Sequence, residues 1–378
     1  MSTTLTSAAD PSPGVVSASS PVTLRKLPSY LPWLDVLRFL ACFLVIVLHS
    51  IPAVPPGVGH AGVALFFSIS GFLIGRVLMS SEGLSYFYAR RFLRIYPAYF
   101  ATIALLGILA FTPFFHNPAL GGLIWRNIQY YLTFTFQLSP DGDKLPLLIV
   151  WSLCVEELFY LLLPLLFLLK KPVRIGIALV VIVGLLLVPR FHLLPDGSGT
   201  WFLFPLNLFF GVFLAISQPR LRSSFPFVAV AALVVVIANG FGGWYHSFGP
   251  ISALLCTATV WSLAVFDGKL PRVLEPVRWM GQLSYGIYLL HLFCVSLAVR
   301  ALGGLRGHSV LFYSGVLLIT TVGAVFAAWM LQIILENPAL RLRPKLRVHP
   351  KLKYLFAAIQ VSLIPLGVAL AVMRHMQK

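Results

Sequence analysis

The sequence predicts an all-α membrane protein, a polytopic bundle of about ten to eleven transmembrane helices. Three observations carry that expectation. Of the 378 residues, 59% are hydrophobic and only 10% charged, whereas a soluble domain carries about 25% charged residues. Apolar runs of about 20 residues, the length that crosses a bilayer, recur from one end to the other. Basic residues then gather on alternate connections between those runs.

Taken in order, the runs begin near Leu34, Ala61, Ile95, Ile149, Ile175, Trp201, Phe225, Ile251, Trp279, Ser309 and Tyr354. With a cytoplasmic N-terminus, the inside connections hold Arg76, Arg90, Arg91, Arg94, Lys170, Lys171, Arg174, Arg220, Arg222 and the run from Arg341 to Lys353. The outside ones hold Arg126, Lys144, Arg190, Arg300 and Arg306. This is the positive-inside bias, which fixes orientation. The net charge of +17 therefore reflects topology and contact with anionic lipid headgroups, and nucleic acid is excluded as a partner.

Residues 1–28, rich in Ser, Thr, Pro and Ala, lack the basic start and apolar core of a signal peptide and read as a disordered cytoplasmic tail. Residues 29–340 form the membrane domain. Residues 341–378 form a basic cytoplasmic connector, broken by Pro344 and Pro350, and an extra C-terminal transmembrane helix. The longest outside connection, 113–147, places Trp125, Tyr130, Tyr131 and Phe134 where aromatic side chains suit the headgroup zone. Cys42, Cys154, Cys256 and Cys294 lie in apolar runs without CxxC spacing, so they are small core hydrophobes and not a metal site.

Against this background the ionisable residues inside the runs stand out. In "LDVLRFLACFLVIVLH", Arg38 and His49 are eleven residues apart, about 1100° of helix, and so project from one face roughly 16 Å apart. Asp35 is one turn before Arg38, in reach of an i,i+3 pair. Groups of this kind at membrane depth face the bundle interior or a wet cavity, although Arg38 could also snorkel to the surface. In "WSLCVEELFYLLLP", Ser152, Glu156 and Tyr160 form a polar stripe at i,i+4 spacing, with Glu157 about 100° around the helix. A carboxylate from this helix is placed to hold His49 as a general base, or alternatively to join helices by a structural hydrogen bond.

Two further stretches complete the candidate site. In "YARRFLRIYPAYF", Arg91 and Arg94 are i,i+3 neighbours flanked by Tyr88 and Tyr96, and paired guanidiniums grip phosphate well. A nucleotide-bearing donor arriving from the cytoplasm would meet them. No GxxxxGK[ST] loop or GxGxxG turn is present, which removes ATPase and Rossmann readings. In "LSYGIYLLHLF", Ser284, Tyr288 and His291 share a face, and His291 reads as a satisfied structural histidine bordering the same cavity. Ser68, Ser70, Gly71 and Gly75 read as a close helix contact.

These stretches, together with "GVALFFSISGFLI", occur in an order that resembles the integral-membrane acyltransferase 3 family, whose members O-acylate surface polysaccharides and related acceptors. The resemblance runs from Leu34 to about Pro338. It implies a membrane O-acyltransferase taking an acyl group from cytoplasmic acyl-CoA, usually acetyl-CoA, to a hydroxyl of a glycan or lipid-linked glycan, with no metal. It makes His49 the essential histidine, with Glu156 and Glu157 on the accompanying motif. Arg38 becomes the basic partner, and Arg91 and Arg94 hold the CoA phosphates. The expected location is the inner membrane of a bacterium. Ala64 stands where many members carry a polar residue, and Leu158 where Gln is common. The rival class is a transporter or flippase for a glycolipid or small anion, for which the sequence offers no inverted repeat.

Overall fold

The computed structural model describes residues 30–80, 83–112, 118–141, 150–187, 199–218, 226–242, 249–266, 268–305 and 308–376. The N-terminal tail expected over 1–28 lies outside them, as do Lys144, Arg190, Arg220, Arg222 and Arg306. Among the described residues there are eleven long helices and no strands. They are α1 (Pro32–Ser50), α2 (Pro56–Met79), α3 (Leu84–Leu109), α4 (Val150–Leu166), α5 (Lys171–Leu187) and α6 (Gly199–Ser217). Then follow α7 (Pro226–Phe241), α8 (Gly249–Val265), α9 (Ser284–Ala301), α10 (Ser309–Leu331) and α11 (Pro350–Met376).

Ten of the eleven predicted runs each correspond to one of these helices, and the run near Trp279 to α9 and a short helix before it. Among the described residues six helical stretches are long and apolar enough to cross a membrane, and α6, α7 and α8 hold shorter apolar helices. Large apolar side chains point outward around the bundle, among them Val180 and Val310 at 71% and 81% exposure. In water such a surface would be unstable, whereas lipid is its natural solvent.

Local sequence sets the helix starts. Proline occupies the first turn of α1 and α2, where its missing N–H costs nothing, and Asp35 in the first turn of α1 faces the positive end of the helix dipole. The last helix begins at Pro350, a turn before the Tyr354 start that hydropathy indicates, because the basic residues Lys351 and Lys353 already belong to it. The run beginning near Trp279 is divided into a short helix, Glu275–Gln282, and α9.

Helices α1 and α2, with α6 contributing Leu208 and Val212 to one side and Leu206 and Leu214 to the other, are the shared wall of two apolar cores. One core joins them to α3, α4, α9, α10 and α11; the other joins them to α5, α6, α7 and α8. The backbones of α2 and α6 approach closely because Gly71 and Gly211 face them. A methyl group on Gly71 would overlap the Leu208 carbonyl oxygen, and one on Gly211 would lie 2.5 Å from that of Ser68. Ser68 Oγ adds a buried hydrogen bond to Asn207 Oδ1, 3.0 Å. All four cysteines are buried and free.

The long connection after α3 departs from the surface placement expected for it. Trp125 is exposed, but Tyr130, Tyr131 and Phe134 are buried, the last two in the first core. Phe134 takes a left-handed backbone, φ 55°, a conformation that costs a non-glycine residue roughly 1–2 kcal/mol. Its ring stacks on Tyr99 at 4.5 Å between centroids, and the Tyr99 hydroxyl donates to the Tyr131 carbonyl, 2.9 Å. Aromatic packing in the core thus outweighs the headgroup preference.

Candidate active site

At the end of the bundle where α1 and α3 begin, the arginines converge. Arg38 pairs with Asp35 at 3.6 Å, as the i,i+3 spacing predicts. Asp35 also accepts from the Tyr30 hydroxyl, 2.7 Å, which in turn receives Arg278 and Gln282. Burial, and after it the Asp35 carboxylate, pushes the Tyr30 phenol above its ordinary pKa, so Tyr30 remains a donor. Arg94 is near enough to feel the charges of Arg38, Arg91, Asp35 and Glu336. Arg343 lies in the same field, alongside Arg90, Arg91 and Arg94. The Arg91 guanidinium sits 4.2 Å from the Tyr160 ring centroid. The Nε atoms of Arg91 and Arg343 are buried without a hydrogen-bond partner. Several guanidiniums facing two carboxylates make a strongly cationic mouth suited to a polyanion.

Glu336 and Arg343 escape sequence reading for a physical reason. The chain passes from α10 through a π-helical turn, Gln332–Glu336, and such a turn shifts the helical register. Glu336 is thereby buried beside Arg94, a position that a 3.6-residue period does not foretell.

The polar stripe on α4 continues inward from the mouth. The Tyr160 hydroxyl donates to Ser70 Oγ, 3.4 Å, and Ser70 Oγ donates to Glu156. Ser70 therefore does more than permit close packing. Glu157, which helix periodicity places off the stripe, is the more buried carboxylate at 2% exposure. Its Oε2 accepts from the Tyr96 hydroxyl, 3.0 Å, and from Gln360 Nε2, 2.9 Å, while its buried Oε1 accepts no hydrogen bond. Leu158 points outward, so the departure there does not touch the site.

Farther along, Ser152 Oγ meets the Tyr288 hydroxyl at 2.7 Å, and α9 brings His291 against His49. Their ring centroids are 5.1 Å apart. His49 Nδ1 lies 2.8 Å from the Val45 carbonyl oxygen and 3.3 Å from His291 Nε2; His291 Nδ1 lies 2.8 Å from the Tyr288 carbonyl oxygen. A carbonyl only accepts, so each Nδ1 carries hydrogen. The His49 N–H is then shared between Val45 and the bare Nε2 of His291, leaving His49 Nε2 as the unprotonated nitrogen. The hydrogen-bonding partner of His49 is thus a histidine; neither Glu156 nor Glu157 bonds to it. Among the described residues no three His, Cys, Asp or Glu side chains cluster as a metal site requires.

A lipid-facing helical bundle with a cationic mouth, buried carboxylates and a histidine pair in its interior is the setting of a membrane enzyme. The sequence model of the acyltransferase domain of the acyltransferase 3 family matches residues 31–329, and the chain belongs to that family. It is similar to the peptidoglycan O-acetyltransferase OatA of Listeria monocytogenes, 29% identical over 74% of this chain and 52% of the relative. It is also similar to the acyltransferase MdmB of Streptomyces mycarofaciens, 27% identical over 75% of this chain and 81% of the relative. A third relative is the O-acetyltransferase OatA of Staphylococcus aureus, 29% identical over 70% of this chain and 50% of the relative. The match spans about half the length of both OatA proteins. No solved structure matches the chain.

Proposed function

We propose that this membrane acyltransferase moves an acetyl group from cytoplasmic acetyl-CoA to a hydroxyl of a glycan or lipid-linked glycan of the cell envelope. The observation that carries this reading is a row of interior polar groups: Arg91 lies over the Tyr160 ring, Tyr160 and Ser70 lead by hydrogen bonds to Glu156, and one turn earlier on α4 Ser152 meets Tyr288, whose ring adjoins the His49–His291 pair. The protein would reside in a bacterial inner membrane with its N-terminus and arginine mouth in the cytoplasm.

In this reading Arg91 and Arg94, aided by Arg38 and Arg343, hold the CoA phosphates, and the acyl-bearing arm extends along the path toward the histidines. Glu156 and Glu157 flank that route and balance its charge. His49 Nε2 removes the proton of the acceptor hydroxyl as its oxygen attacks the thioester carbonyl; the C–O bond forms, the C–S bond breaks, and the departing thiolate takes up a proton as CoA. His291 steadies the His49 imidazolium through the shared N–H. A positioned base of this kind contributes roughly 10²- to 10⁴-fold.

Competition with fragments of the donor tests the mouth. 3′-Dephospho-CoA should compete with acetyl-CoA distinctly less well than CoA does, and pantetheine hardly at all. Equal competition by all three would remove the phosphate-binding role of the arginines.

A further inference from the structure

Helix α11 lies wholly beyond the residues that match the family, 31–329, yet it reaches the candidate site. Its inward face is Ala357, Gln360, Ile364 and Gly367, spaced at i, i+3, i+7 and i+10 as one helical stripe. Leu355, Leu366 and Val372 point outward. Phe356 stacks on Phe92 with centroids 5.0 Å apart, and Gly367 lets the helix close on Thr133 and Thr135. These contacts dock the helix by small and apolar groups. Gln360 does not fit that pattern: it is an amide, 3% exposed, at the middle of an otherwise apolar or small face.

Burying an amide is unfavourable unless it is hydrogen-bonded; Gln360 Nε2 donates to Glu157, while Gln360 Oε1 is buried without a partner. Two donors, Gln360 and Tyr96, converge on the same oxygen, Oε2. That fixes the carboxyl plane and turns Oε1 away from both. We propose that Gln360 is a positioning residue for acyl transfer, acting from the C-terminal helix through Glu157; this rests on the reading of the site as an acetyl-CoA-dependent transferase. The C-terminal helix is then part of the active enzyme and not an appended anchor.

A double-mutant cycle on the full chain, reconstituted in vesicles and normalised to folded protein, tests the proposal with Gln360→Met, Glu157→Gln and both together. A lost hydrogen bond, worth more where a buried donor or acceptor is left unpaired, corresponds to about a tenfold loss if it is felt in the transition state. The expected result for Gln360→Met is therefore a fall in kcat of about that size, with the acetyl-CoA KM little changed. In the Glu157→Gln background the same change should add nothing, because the residue acts through Glu157. Gln360→His, which keeps an N–H donor, should recover part of the lost kcat and serves if the Met variant does not fold. Unchanged kcat in the Met variant, or in the His variant an activity no better than that of Met, overturns the proposal; so does an equal loss with and without Glu157. A wild type that moves no acetyl group from acetyl-CoA removes the functional reading and the proposal together. Wild-type turnover that is indifferent to Gln360 removes the proposal alone.

Discussion

In the proposed mechanism the role of His49 turns on which ring nitrogen holds hydrogen, and two carbonyl oxygens bear on it by accepting from Nδ1 of both His49 and His291. Replacing His291 by Leu removes one of the two acceptors of the His49 N–H and leaves the Val45 carbonyl alone, so kcat should fall about tenfold at unchanged donor KM, the pattern of a lost transition-state interaction. His291→Asn, which keeps an acceptor oxygen, should lose less; turnover at equal folded protein measures both. At the mouth, Arg94→Lys keeps the charge but loses the planar fork, so the acetyl-CoA KM should rise several-fold while kcat changes little. Arg38, His49, Glu156 and Glu157 were conspicuous in the sequence because charge inside an apolar run is costly. His291 was read at the border of the same cavity, but its pairing with His49 was not legible, since it is 242 residues away and only the packing of α1 against α9 joins them. Gln360 was hidden for a different reason, being an uncharged residue in the final run.

Among the elements, α2 and α6 depend most on small residues. Gly71→Val would drive a branched side chain into the Leu208 backbone, and overpacking of this kind costs about 1–3 kcal/mol or more. The variant should show a lowered Tm in detergent, or little folded protein. The connection between α3 and α4 makes a prediction in pH. Asp141 accepts from Asn127 Nδ2 at 2.5 Å and pairs with Arg126 at 3.2 Å. The Asn127 hydrogen bond, and after it the Arg126 charge, hold its carboxyl below the ordinary range. A depressed folded-state pKa stabilises above the unfolded value, about 3.9, and that stabilisation is lost as pH falls through the folded value. Hydrogen-exchange protection over 118–141 should therefore persist from neutral pH to about pH 5 and decline only in stronger acid; Asp141→Asn should flatten that decline. Apolar length made nearly every helix legible in the sequence. The π-helical turn Gln332–Glu336 was not, because it shifts the helical register locally, nor was the inward fold of Tyr131 and Phe134, which arises from packing against Tyr96 and Tyr99 of α3.

For the molecule as a whole, the arrangement that matters is the path through the interior. One end is a cationic mouth built from α1, α3 and the segment after α10; the other is the histidine pair of α1 and α9, and α4 runs between them. In the proposed function such a layout lets a charged donor stay at one membrane face while its acyl group reaches an acceptor nearer the other. The most direct measurement is acetyl transfer from radiolabelled acetyl-CoA added to inverted inner-membrane vesicles, comparing wild type with His49→Ala at equal folded protein and following donor binding in both. The account predicts label in an extractable glycan or lipid with wild type, a fall of roughly 10²-fold or more with His49→Ala, and unaltered donor binding. Transfer by His49→Ala at the wild-type rate would contradict it.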